Sequence, residues 1–155
     1  MRRILVVDDD LHTRLAIGIW LKQCGFRVAI TDGGESGLAA LKDGTFDLMI
    51  VDVFMPDMRG FESIRVFHGH APTVPLIAIS GYAFSGPEKD DPACFRMALS
   101  LGATRCFRKP FRPATLLSVI DECLQEAERR RKHAAALNLI AGAPPHISRE
   151  NANTG

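Results

Sequence analysis

The chain has 155 residues, enough for one globular domain with a core of its own and short for two. Its 19 Lys and Arg against 18 Asp and Glu leave a formal net charge of +1, so no global electrostatic footprint marks a nucleic-acid binder and any charge-driven chemistry has to be local. The four cysteines, Cys24, Cys94, Cys106 and Cys123, form no CxxC pair, which speaks against a zinc knuckle or a redox motif and leaves buried, reduced thiols as the expectation.

Met1-Arg2-Arg3 runs straight into Ile4-Leu5-Val6-Val7 and then into three aspartates, too short an apolar run for a signal peptide or a membrane span, so a cytoplasmic protein without membrane association is expected. From there short apolar runs alternate with helical periodicity, the pattern of a parallel sheet with crossover helices on both faces. The predicted strands are Ile4–Val7, Val28–Thr31, Leu48–Val51, Leu76–Ile79 and a short one at Arg105–Phe107, uninterrupted runs that suit strands buried on both sides.

Between the first two strands, Leu11, Leu15, Ile19 and the neighbouring Trp20 lie along one side of a helix that Asp10 caps and Gly25 ends. A second helix fits Glu35–Lys42 with Leu38 and Leu41 inward, and a third Phe61–Phe67, after Gly60 and before Pro72. The stretch from Ser85 to Pro92 reads as an extended loop ahead of a fourth helix at Ala93–Leu101. Pro113 is placed as the first residue of a fifth helix carrying Leu116, Leu117, Ile120 and Leu124 at core spacing. That helix is expected to outrun the core, because Glu126/Arg130 and Glu128/Lys132 are i,i+4 pairs of the kind that support a solvated helix. The expected organisation is a domain over 1–132 that includes the extended helix, and a tail over 133–155, Gly/Pro/Asn-rich from about Ala141 and largely disordered.

In a doubly wound sheet, sites form at the carboxyl ends of the strands. Asp8, Asp9 and Asp10 follow the first strand, Asp52 the third, Ser80 the fourth and Lys109-Pro110 the fifth. Asp8, Asp9 and Asp52 at one sheet edge repel one another unless protons or a cation offset the charge, and an all-oxygen set suits Mg²⁺, with Mn²⁺ as a chemical substitute. A carboxylate such as Asp52 can attack phosphorus to give an acyl phosphate without a separate general base. Lys109 supplies a compact positive charge and Ser80 a hydroxyl for the phosphoryl oxygens. Taken alone, the three aspartates could equally be a strand-end turn that caps the first helix, and Ser80 an ordinary turn residue.

Four motifs stand in order, each at the end of its predicted strand: Val6-Val7-Asp8-Asp9-Asp10, Val51-Asp52-Val53-Phe54-Met55-Pro56-Asp57-Met58-Arg59-Gly60, Ser80-Gly81 and Lys109-Pro110-Phe111. Over roughly Arg3 to Glu126 the chain resembles the CheY-like receiver domains of two-component response regulators. The resemblance implies a flavodoxin-like, doubly wound sheet of five parallel strands in the order 2-1-3-4-5. It makes Asp52 the phosphoacceptor, Asp9 a direct metal ligand, Asp8 a partner in holding the ion and the Phe54 carbonyl the last protein ligand. Ser80 becomes the switch hydroxyl, Lys109 its ionic partner and Pro110 the site of a cis peptide bond. It also implies a histidine kinase or histidine phosphotransfer protein as donor and a downstream protein as target. With no room after Lys132 for a DNA-binding domain, a stand-alone regulator acting by protein contact is expected, with homodimerisation through the last helix open.

Two features depart from the family pattern. Cys106 occupies the position three before Lys109 that is usually aromatic, with Phe107 pointing to the opposite side of the strand, and the segment from Ser80 to Lys109 is several residues longer than usual. Tyr82 or Phe84 is a candidate to fill the missing aromatic's place. Phe54, bulky two residues after Asp52, is positioned to shield an acyl phosphate and slow its hydrolysis. Two rival readings remain: a phosphorylation-independent module that keeps the fold, for which the absent aromatic is the support, and an aspartyl-nucleophile hydrolase, against which stand the lack of an acid/base residue and of a cap domain. The basic run from Arg129 to His133 follows glutamates and interleaves with no aromatics, so it reads as a solvated helix end. His12, His68, His70, His133 and His146 show no metal spacing and are expected at the surface.

Overall fold

The computed structural model describes residues 1–58, 60–81 and 92–142. Five strands, β1 (Arg3–Val7), β2 (Arg27–Thr31), β3 (Leu48–Asp52), β4 (Leu76–Ser80) and β5 (Arg105–Arg108), alternate with five helices, α1 (Leu11–Gln23), α2 (Gly34–Asp43), α3 (Glu62–His70), α4 (Pro92–Ser100) and α5 (Pro113–Ala141). The strands form one parallel sheet in the order β2-β1-β3-β4-β5, as expected of the doubly wound class.

The two-residue period of a strand divides the core. Leu5, Val7, Met49, Val51, Leu76 and Ala78 point to one face and pack with Ile64, Phe67 and Ala98 of α3 and α4, with Leu38 and Leu41 of α2 partly buried against them. Ile4, Val6, Leu48, Ile50, Ile77 and Ile79 point to the other and pack with Ile17 and Leu21 of α1 and Leu116, Ile120 and Leu124 of α5. Cys106 joins the first cluster and Phe107 the second, so the two residues do lie on opposite sides of β5.

The helix α1 begins and ends as expected: the Asp10 carboxylate accepts from Thr13 N–H, and Cys24 caps the end just before Gly25. The apolar side that Leu11, Leu15 and Ile19 define faces outward, however, at 49%, 38% and 56% exposure, and Ile17, Gly18 and Leu21 face the sheet. The sequence carries two apolar stripes on this helix. The one with Gly18 docks because a Cβ there would stand 2.9 Å from Ile30 Cγ2, so only glycine lets the helix close onto β2 at this point.

The helix α3 runs on to His70 and stops at Ala71, the residue before Pro72, where the proline ring disfavours helical backbone. α5 begins with Pro113 in its first turn and continues to Ala141, so residues 133–141 are helix where a largely disordered tail is expected; every residue from Arg129 to Gly142 is exposed. Glu128 pairs with Lys132 at 3.3 Å as expected, but Glu126 pairs with Arg105 of β5 instead of Arg130. Cys24 is exposed, against the expectation of buried thiols, whereas Cys123 is buried. His68 is half-buried, and its Nδ1 is a buried atom without a hydrogen-bond partner, while His12, His70 and His133 are exposed. Tyr82, Phe84, the 85–91 part of the expected loop, His146 and the tail from 143 lie outside the described residues. No helix among the described residues is long and apolar enough to cross a membrane.

Candidate phosphoacceptor site

The carboxyl ends of β1, β3, β4 and β5 bring Asp8, Asp9, Asp52, Ser80 and Lys109 to one edge of the sheet. Asp8, Asp52 and Ser80 are buried, and Asp9 is exposed at the rim. One carboxylate oxygen from each of Asp8, Asp9 and Asp52 lies within 4.8 Å of the others. Lys109 Nζ spans the cluster, 2.8 Å from Asp8 Oδ2 and 3.7 Å from Asp52 Oδ2.

Each group is held by its neighbours. Asp8 Oδ1 accepts from the backbone N–H of Asp10 at 2.9 Å, which shapes the turn between β1 and α1. Arg14, one turn into α1, reaches back to donate to the carbonyls of Asp8 (3.3 Å) and Asp9 (3.1 Å). Asp52 Oδ1 accepts from the N–H of Phe54 at 3.3 Å, and the buried Ser63 hydroxyl of α3 reaches the carbonyls of Asp52 (3.3 Å) and Val53 (3.2 Å). Lys109 N–H donates to the Ser80 carbonyl at 2.8 Å, tying the ends of β4 and β5 together, and the Lys109-Pro110 bond is cis, as the resemblance implied. Sequence reasoning missed Arg14 and Ser63: neither follows a strand, Arg14 folds back over the adjoining turn onto the carbonyls of Asp8 and Asp9, and Ser63 reaches its partners only once α3 packs on the sheet.

Burial pushes the Asp52 carboxyl up to about 7, and the charge of Asp8 adds to the rise while Lys109 opposes it. Three carboxylates around the one ammonium of Lys109 gather more negative than positive charge at this edge. The donors there are hard carboxylate oxygens, the set that a divalent cation such as Mg²⁺ takes, so the residues present fit that ion. Phe54, half-buried beside Asp52, meets Phe61 edge to face with ring centroids 6.0 Å apart.

The family model of the response regulator receiver domain matches residues 4–121. Among curated proteins, the chain is 28% identical over 145 residues to the transcriptional regulatory protein FixJ of Bradyrhizobium diazoefficiens, covering 94% of this chain and 67% of that one. It is 33% identical over 129 residues to the transcriptional regulatory protein GltR of Pseudomonas aeruginosa, covering 82% and 50%. The chain therefore spans about half to two thirds of the length of these relatives. Among solved structures it is similar to a CheY-like response regulator receiver domain protein from Methanospirillum hungatei, with a TM-score of 0.74 and 32% identity over 84% of this chain and 98% of that one. The fold, the order of the strands and the match over residues 4–121 agree, and the chain belongs to the response regulator receiver domain family of two-component signalling.

Proposed function

We propose that Asp52 accepts a phosphoryl group from a phosphohistidine on a histidine kinase or phosphotransfer protein, in a Mg²⁺-dependent reaction, and that the phosphorylated chain changes its contacts with a protein target in the cytoplasm. The observation that carries this reading is the pairing of buried Asp52 with two further carboxylates within 4.8 Å and a lysine at 3.7 Å.

Asp9 and Asp52 would hold the ion directly, Asp8 would assist and the Phe54 carbonyl would complete the protein's share. The bound ion supplies charge to draw Asp52 into its ionised form and to neutralise the phosphoryl oxygens. An Asp52 oxygen forms the new O–P bond as the N–P bond of the donor histidine breaks, and the imidazole nitrogen keeps that electron pair. Lys109, now spanning Asp8 and Asp52, turns to the arriving phosphoryl group, and the Ser80 hydroxyl donates to one of its oxygens. Phe54, packed on Phe61, limits the approach of water and makes self-hydrolysis slow.

The donor has to present its histidine at this edge of the sheet. The outward stripe of Leu11, Leu15 and Ile19 begins at the first residue of α1, next to Asp9 and Asp10, and offers an apolar face to a helix of the donor. On the output side, the exposed end of α5 is available for association, a homodimer included. Intact-mass spectrometry after incubation with acetyl phosphate tests the reading: a phosphoryl adduct in the presence of Mg²⁺, absent with EDTA and absent in Asp52→Asn, is expected. No adduct on the wild type, together with no binding of a beryllofluoride mimic, overturns it.

A further inference from the structure

The loop that follows the phosphoacceptor strand is clamped to a helix that contributes nothing else to the site. Gly33, the residue that precedes α2, has no side chain to cap it, although helix N-termini leave backbone N–H groups unsatisfied. The Asp57 carboxylate takes that place from across the fold: its Oδ1 accepts from Gly34 N–H and its Oδ2 from Glu35 N–H, both at 3.1 Å. Those two bonds hold the Asp57 carboxyl below its ordinary range, the shift of a carboxylate at the positive end of a helix.

The fit extends beyond the carboxylate. Met58 lies where a side chain at position 34 would stand, so that any Cβ on Gly34 would collide with Met58 Cγ, Sδ and Cε. Asp57 and Met58 belong to a tight turn closed by the Met58 N–H bond to the Met55 carbonyl at 3.1 Å, and Met55 itself is buried. The residue before Met55 is Phe54. One end of this short loop is thus pinned to α3 through Ser63 and the carbonyls of Asp52 and Val53, and the other to α2 through Asp57.

We propose that Asp57 is a positioning residue for the divalent cation: by bridging the first two N–H groups of α2 it fixes the Met55–Met58 turn, and with it the orientation of the Phe54 backbone carbonyl. This rests on the Mg²⁺ reading given above. With the clamp released, the turn drifts and the carbonyl ligand has to be ordered at the moment of binding, which weakens the ion without altering any carboxylate that holds it.

The test is Mg²⁺ titration by calorimetry on the full chain, with the melting temperature measured in EDTA for each variant. Asp57→Ala is expected to weaken Mg²⁺ binding on the order of fivefold, the size of one lost helix-cap contact. Asp57→Asn, which keeps an acceptor oxygen, falls between it and the wild type. Gly34→Ala displaces the flexible Met58 side chain but keeps both backbone N–H bonds to Asp57, so it stays closer to the wild type than Asp57→Ala does. Glu35→Gln removes a carboxylate from the same helical turn and leaves the backbone N–H in place, so it stays within about twofold of the wild type. Wild-type affinity in Asp57→Ala overturns the proposal and leaves Asp57 a helix cap only, whatever the melting temperature does. Equal weakening by Asp57→Ala and Glu35→Gln also overturns it, in favour of diffuse electrostatics. No Mg²⁺ binding by the wild type overturns the metal reading itself, a result separable from both.

Discussion

Asp52 is the residue on which the site's physics converges. Its carboxyl is held near 7 in the folded chain against an ordinary value near 4, so between those values the folded state binds more protons than the unfolded state, and stability falls as the pH rises. The penalty is absent below about pH 4, grows up to about pH 7 and is constant above. Asp52→Asn, neutral and of the same shape, escapes it. In EDTA the variant is expected to be more stable than the wild type by on the order of 1–2 kcal/mol at pH 8, after allowance for solvent screening, and to match it near pH 4. Urea unfolding at the two pH values checks this, and a pH-independent difference would show that Asp52 is ionised without strain. At Phe54 the expectation concerns rate. Phe54→Asn removes the ring packed on Phe61 and admits water, so the acyl phosphate lifetime measured with Mg²⁺ shortens roughly three- to tenfold. An unchanged or longer lifetime would place the barrier to hydrolysis elsewhere.

At the scale of elements, α1 separates what a sequence can and cannot disclose. Its limits were legible from Asp10 and Gly25, but its docked face was not, since Leu11/Leu15/Ile19 and Ile17/Leu21 are both apolar stripes and the choice between them depends on the contour of β2 beneath Gly18. The stripe left outside gives a prediction. Leu15→Gln costs on the order of 1 kcal/mol of stability, because at 38% exposure the side chain still covers some apolar surface. It leaves phosphorylation by acetyl phosphate unaltered and slows transfer from a phosphohistidine-bearing protein about tenfold, the scale of one interface anchor. Equal slowing with both donors would mean that α1 acts on the site and not on docking. The same limit on sequence reading holds for Glu126, whose i,i+4 partner was apparent and whose actual partner, Arg105, lies on a strand 21 residues away. It holds also for Ser63 and Asp57, whose partners are backbone groups that only folding brings within reach.

For the molecule as a whole, the strands and the site were legible together because they follow from one pattern. Buried parallel strands read as short apolar runs, and the first polar residue after each run falls at the same sheet edge. Asp8, Asp52 and Ser80 needed no more than that, whereas Lys109 follows a half-buried strand, Arg105-Cys106-Phe107-Arg108, and was legible through the Lys109-Pro110-Phe111 motif instead. The order 2-1-3-4-5 sets β1 between β2 and β3 and brings Asp8 beside Asp52. The far end of α5 was less legible, since residues 133–141 rest on no core and their helix follows from local propensity and continuity with the buried turns before them. The measurement that bears most directly on the central claim is chemical identification of the acceptor. The chain is loaded from a phosphohistidine donor with Mg²⁺, reduced with borohydride, which converts an aspartyl phosphate to homoserine, and sequenced by tandem mass spectrometry. Homoserine at position 52, and at no other aspartate, is the expected result; homoserine at Asp8, Asp9 or Asp10, or at none while the donor loses its phosphoryl group to the chain, would contradict the account.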